Sequence, residues 1–289
     1  MIQKKNFQAI YFLLPAMILL TILYAYPMFL LLVQSFQKVE LFGDQSKFVA
    51  FDNYIRLLKD KGIYHNLRIT LLYSFVTIAI KMLGGLMIAL LINSDIYGKK
   101  LARFIMLIPW AIPQVAVSII WKWIYDTRYG YLNYFLDAVN WVQGNIAWLA
   151  DKDVTLYAVS IVDAWMGWPL ITMMILAGLE AIPKSLYEAG RLDGANTWKQ
   201  FWHITLPELA PVLTITFTLV SIWTFNSFNV IFVMTQGGPL RSTETLMMRV
   251  YNEAFKKFDF GMSSALSVLI ILFMLAFISL YIRQLTKEE

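Results

Sequence analysis

Residues 69–92 read ITLLYSFVTIAIKMLGGLMIALLI, a continuous apolar run broken by a single charge, Lys81. A helix needs about 20 apolar residues to cross a hydrocarbon core, and this run is long enough. Five further stretches share its character: Ile10–Val33, Phe104–Tyr125, Val154–Leu179, Leu209–Met234 and Met262–Ile282. An unpaired backbone amide is too costly in lipid for anything but helices or a closed barrel. Because these runs are continuously apolar rather than alternating, helices are selected. The expected fold class is all-α, a polytopic membrane protein with six transmembrane helices.

Composition agrees. The chain is 59% hydrophobic with a mean hydropathy of +0.60, whereas soluble domains hold roughly 45–50% apolar residues. The first run follows Lys4 and Lys5 but exceeds the usual 7–15 residues of a signal peptide, and no small-x-small cleavage pattern follows it, so it reads as a retained anchor. The absence of cysteine removes disulfide frameworks, thiolate zinc sites and cysteine nucleophiles together. His65 and His203 alone cannot assemble a metal cluster or a triad, and no serine sits in a nucleophile elbow. Gly98-Lys99-Lys100 lacks the upstream glycine and the hydroxyl of a phosphate-binding loop. The expectation is a chain that is not an enzyme, with no catalytic, cofactor-binding or metal residues. Its net charge of +5 needs no nucleic acid, since Trp121, Trp123, Trp141 and Trp148 crowd the interfaces as an aromatic belt.

No repeat, low-complexity segment or linker divides the chain, so residues 1–289 read as one membrane domain. Two loops are more than turns. Leu41–Leu67 contains Asp52-Asn53-Tyr54 and a short amphipathic helix, and Tyr131–Leu149 alternates aromatic and polar residues as a helix at headgroup level would. Both either cover the ends of the spans or help receive a soluble partner.

Between the fourth and fifth runs lies a structured polar segment. Ser185-Leu186-Tyr187-Glu188 reads as a capping box, Gly194 as a helix stop and Pro207 as the start of the next helix. Glu188, Ala189, Gly194, Ile204, Leu206 and Pro207 resemble the cytoplasmic EAA loop of ABC-importer permeases, with Gly190 in place of the third consensus alanine. A second set of residues narrows the resemblance: Thr235-Gln236-Gly237-Gly238-Pro239, Thr243-Glu244-Thr245-Leu246 and Tyr251-Asn252-Glu253-Ala254-Phe255. With Gly130-x-x-Asn133-x-x-Leu136 and Leu179-x-x-Ile182-Pro183-x-x-Leu186, these are similar to the carbohydrate-type permeases, the group that holds the first membrane subunit of maltose and glycerol-3-phosphate importers.

The resemblance implies that residues 184–207 form a cytoplasmic coupling loop whose helix docks on a separate ATPase. Glu188, Ala189, Asp193, Gly194 and Ala195 would be its coupling residues. The implied partners are a second, homologous permease subunit in a heterodimer, two copies of an ABC ATPase, an extracytoplasmic sugar-binding protein and the bilayer. ATP and magnesium would sit on the ATPase subunits, with no cofactor on this chain. The distribution of lysine and arginine is nearly balanced across the two sides. The resemblance sets the orientation, with both termini cytoplasmic in the inner membrane of a prokaryote.

Substrate contacts are sought among polar groups inside the spans. Asp163, Gly167 and Leu170 fall at i, i+4 and i+7 on one face of the fourth run, and Gly167-Trp168-Pro169 is expected to break or kink that helix. Trp223, Asn226 and Ser227 share an arc of the fifth run, with Thr224 at its edge. Amides and hydroxyls suit the hydroxyls of a sugar, and tryptophan faces suit its C–H surfaces. The family's sugar contacts fall at matching positions, near Met166, Gly167 and Leu170 and near Trp223, Thr224 and Ser227. The alternative reading is helix packing without substrate contact. Lys81 and Asp163 lie about 12 and 9 residues deep, roughly 5 Å apart in depth at helical rise, within reach of a lysine side chain. They either pair or find separate partners. In a rival reading, a self-sufficient proton- or sodium-coupled secondary carrier, those two would be the coupling groups.

Overall fold

A computed structural model describes residues 13–39, 46–94, 97–142 and 144–285. The start of the first run, the termini with Lys4, Lys5 and Lys287, and residues 41–45 of the first long loop lie outside them. In chain order the elements are α1 (Leu13–Ser35), β1 (Gln37–Lys38), β2 (Lys47–Phe48), α2 (Asp52–Lys59), α3 (Lys61–Asn93), α4 (Lys99–Ala111) and α5 (Gln114–Ile124). They continue with α6 (Tyr131–Ala138), α7 (Thr155–Ala181), α8 (Lys184–Leu192), α9 (Thr197–Gln200), α10 (Leu206–Phe225), α11 (Asn229–Met234), α12 (Leu246–Tyr251) and α13 (Phe260–Leu285). Among the described residues, five helical spans are long and apolar enough to cross a membrane, and the bent pair α4–α5 makes a sixth. The all-α, six-span expectation holds. The chain forms two compact units, Met1–His65 with Arg249–Glu289, and Asn66–Met248.

In the first unit α1 packs along α13, and of its residues from Tyr26 to Ser35 only Ser35 is buried. An apolar helix with so little covered surface satisfies its backbone internally and leaves its side chains to lipid. The expected short amphipathic helix is α2, which opens on Asp52 and ends on Lys59, charges placed to match the helix dipole. Buried Asn53 fixes it, donating from its amide to the Ser35 and Gln37 carbonyls, both at 3.0 Å. Gly261 permits the close approach here, since an added Cβ would lie 2.1 Å from the Gln37 oxygen.

The second unit has two apolar cores. One gathers Tyr73, Val117, Leu156, Val159, Val162, Val230 and Ile231, and the other Ala89, Ile92, Ile171, Ile175, Leu176, Leu209 and Val220. Helices α3 and α7 run through both cores, so the middle of each helix lies at the seam between them.

Three local expectations are corrected. The third run is not one straight span, because α4 and α5 meet at 96°. Pro113 disfavours helical dihedrals at the preceding residue, and Ile112 is extended, with φ −89° and ψ 134°. Of the break or kink expected at Gly167-Trp168-Pro169, the break is absent, since α7 runs continuously through it. The Trp168 indole N–H donates to the Ile80 carbonyl at 3.0 Å and lies over Gly84, so α3 packs directly against the turn that holds the proline. Pro207 does not begin the fifth helix. The helical path starts at Thr197, where Asn196 caps it by accepting the Lys199 N–H at 2.9 Å, and continues through a π turn over Phe201–Thr205 into α10.

Candidate functional site

At the seam of the second unit lies a cavity of ≈ 740 Å³. Lys81 reaches it from α3, Pro109 and Trp110 from α4, and Ile112, Pro113 and Gln114 from the bend before α5. Asp163, Met166, Gly167, Leu170 and Ile171 come from α7, Val220, Ile222 and Trp223 from α10, and Asn226, Ser227, Phe228 and Asn229 from the break before α11. The structure thus brings together seven of the eight residues expected to contact substrate. Thr224 is buried rather than lining the cavity. Its hydroxyl accepts from the Lys81 Nζ at 3.0 Å.

Lys81 and Asp163 do pair, with Nζ 3.2 Å from Oδ1. The residues are 6% and 5% exposed, so each charge depends on the other. The second carboxylate oxygen is also engaged, because the Tyr73 hydroxyl donates to Oδ2 at 2.7 Å and stands 3.3 Å from the Ser227 Oγ. Gly167 gives the lysine room, since an added Cβ would sit 2.8 Å from Lys81 Cε. The result is a fixed polar net joining α3, α7, α10 and the break before α11. Around it, uncharged amides and the Trp110 and Trp223 rings line the cavity. Such a surface can exchange hydrogen bonds with hydroxyl groups and pack flat C–H faces.

The predicted coupling loop is a separate feature. Helix α8 starts at Lys184, with Pro183 at the N-cap and no side-chain cap. The capping box is therefore a misreading: Pro183 sets the entry, Ser185 lies in the first turn and Glu188 is too far along to reach back. The stop at Gly194 is as expected, with φ +78°. The Ala195 N–H donates to the Gly190 carbonyl at 2.8 Å and the Gly194 N–H to Arg191 at 3.0 Å, the paired bonds of a Schellman end. The Gln200 amide donates to the Ala195 carbonyl at 3.0 Å, tying the two arms together. Gly190 also has a packing reason, as a Cβ there would meet Ile204 Cδ1 at 2.9 Å. Glu188, Ala189, Asp193 and Gly194 are exposed and Ala195 half-buried. Beside them Leu192 is 90% exposed and Trp198 69%.

Residues 81–285 match the family described as "Binding-protein-dependent transport system inner membrane component". The chain belongs to this family of permeases. It is 34% identical over 242 residues to the trehalose/maltose transport system permease protein MalF of Thermococcus litoralis, covering 84% of this chain and 81% of that protein. It is 31% identical over 282 residues to the sn-glycerol-3-phosphate transport system permease protein UgpA of Brucella abortus, covering 96% and 94%. Among solved structures it resembles, with a TM-score of 0.82 and 18% identity over 96% of this chain and 93% of the other, a chain of a bacterial alginate ABC transporter crystallised with an alginate pentasaccharide-bound periplasmic protein. That likeness shows a shared fold. Family membership identifies a multi-pass permease subunit of an ABC importer and sets aside the self-sufficient carrier.

Several parts of the permease's site went unread in the sequence. Tyr73 carried a signal, since Tyr73, Thr77 and Lys81 recur every four residues and so share one face of α3. Gln114 and Asn229 carried less: each follows a helix break, and the Asn229 amide donates to the Gln114 side chain at 3.0 Å.

Proposed function

We propose that this permease forms one half of a saccharide pathway across the inner membrane of a prokaryote. A second, homologous subunit supplies the other half, and a periplasmic sugar-binding protein delivers the substrate. Asp163, Met166, Gly167, Leu170, Trp223, Asn226 and Ser227 form this chain's share of the substrate site, and Thr224 supports it from behind by holding Lys81. Glu188, Ala189, Asp193, Gly194 and Ala195, within a loop spanning residues 184–207 of one permease domain, carry motion from two copies of an ABC ATPase. ATP and magnesium reside on those subunits, no ATP is hydrolysed here, and both termini are cytoplasmic. One observation carries the reading: the cavity combines exposed tryptophan faces with amides and a hydroxyl between the apolar spans. Relatives named for trehalose and maltose transport, and a structural neighbour that handles alginate, support a saccharide.

The test is reconstitution of the permease with its partner permease, ATPase and binding protein in proteoliposomes. ATP-dependent uptake of a saccharide is expected, falling roughly two- to tenfold in Trp223→Ala, as the loss of a stacked aromatic face implies. Uptake by this chain alone, driven by a proton or sodium gradient without ATP, would overturn the proposal.

A further inference from the structure

The charges in the cavity bear on which saccharide it accepts. Among the described residues that line it, Lys81 and Asp163 are the only charged ones. Both are committed to the protein. The ammonium faces Asp163 at 3.2 Å and Thr224 at 3.0 Å, and the carboxylate takes that contact on one oxygen and the Tyr73 hydroxyl on the other. A ligand group could recruit the lysine only by leaving the buried carboxylate unmatched, and the reverse holds for a cationic ligand. Gly167 adds a geometric constraint, because Lys81 lies across the bare backbone of α7 at that position and is held in place along its stem. The remaining polar lining, Gln114, Asn226, Ser227 and Asn229, is uncharged.

We infer that this permease selects a saccharide without net charge, and that the Lys81–Asp163 pair is its charge filter. The inference rests on the saccharide reading above. An anionic sugar gains nothing from a lysine already neutralised, yet loses its own hydration on entering the cavity. Relatives of the same family named for glycerol-3-phosphate transport make the distinction a real one for this fold.

The experiment measures ligand binding to the complete transporter in nanodiscs, without the binding protein, so that selectivity upstream does not mask the cavity. The probes are maltose as a neutral saccharide, glucuronate and glycerol-3-phosphate as anions, and alanine as a non-saccharide. Saturation-transfer NMR with competition is expected to show maltose binding and both anions on the order of tenfold weaker or worse, the scale set by an uncompensated charge in a protein-like dielectric. Asp163→Asn, which frees the lysine charge, should move the anion-to-maltose ratio on the order of tenfold towards the anions, while Lys81→Gln should move it the other way. Ratios within one preparation cancel differences in yield. The wild-type panel alone decides whether the cavity rejects anions, and the direction of the shift in either variant decides whether the pair is the cause. Anions binding as well as maltose in the wild type would overturn the filter and leave the saccharide reading standing. Alanine binding while maltose does not would instead overturn the saccharide reading itself.

Discussion

Breaking the Lys81–Asp163 pair should destabilise the permease more than removing it altogether. At 3.2 Å and an effective dielectric of about 20, the gross attraction is roughly 5 kcal/mol, most of it offset by taking both charges out of water. Deleting one partner removes the attraction and keeps the other's desolvation, which costs about 3–5 kcal/mol. In Lys81→Met the carboxylate keeps only the Tyr73 hydroxyl, and in Asp163→Asn the ammonium keeps Thr224 and a weaker amide. The double variant leaves no charge and should lose less than either single one. The cycle should then close with a coupling energy of at least ~3 kcal/mol. At about 2–4 °C per kcal/mol for a unit of this size, each single variant should lower the apparent unfolding midpoint by roughly 6–20 °C. Scanning fluorimetry on the purified complex, with folded yield from gel filtration, reads both quantities. Strictly additive losses would show that the two groups are stabilised separately and that their proximity carries no energy.

The coupling loop gives a second expectation. Gly194→Pro cannot adopt φ +78° or donate to Arg191, so it should insert normally yet abolish substrate-stimulated ATP hydrolysis. Glu188→Ala should weaken ATPase association about tenfold or more, the worth of one charge-assisted hydrogen bond, and wild-type uptake by either variant would remove the loop from coupling. Gly190→Ala restores the consensus alanine but crowds Ile204. It should cost about 1–3 kcal/mol, and pairing it with Ile204→Val should recover most of that in the same melting assay. Asn133 is buried, donating to the Thr127 and Ile146 carbonyls and accepting from the Trp148 indole at 2.8 Å. Asn133→Ala should therefore cost about 2–4 kcal/mol and expose residues 139–150 to limited proteolysis that spares the wild type.

What the sequence disclosed and what it hid divide along physical lines. Span number followed from apolar length, which needs no tertiary information. The contact between Lys81 and Asp163 was within reach of depth arithmetic, because helical rise is fixed. The turn at Gly194 was legible because only a left-handed residue ends a helix that way. Hydropathy, by contrast, is blind to a proline among isoleucines and tryptophans, so the bend at Ile112-Pro113 passed as uninterrupted span although the pre-proline restriction was written there. The cap at Asn196 was missed because Pro207 offered a louder start signal eleven residues on, and a π turn made it unnecessary. Tyr73 was missed because a tyrosine in an apolar run reads as packing until its carboxylate partner is located.

The costs of this fold gather in one place. Two apolar spans are broken part-way along, before Gln114 and before Asn229, and their ends meet in the 3.0 Å bond between those two residues. A buried ion pair lies at the same cavity, as does a glycine in the middle of α7. Irregular backbone is tolerated within a span only where it is enclosed by protein or lines a cavity, and charges only where they are matched. On either side of the seam the same helices are packed with isoleucine, leucine and valine. Filling the seam in the same manner would lengthen the apolar core and remove every one of these expenses. That it is left polar, broken and open is the physical mark of a site maintained against stability, and the pairing of Lys81 with Asp163 keeps its net charge at zero.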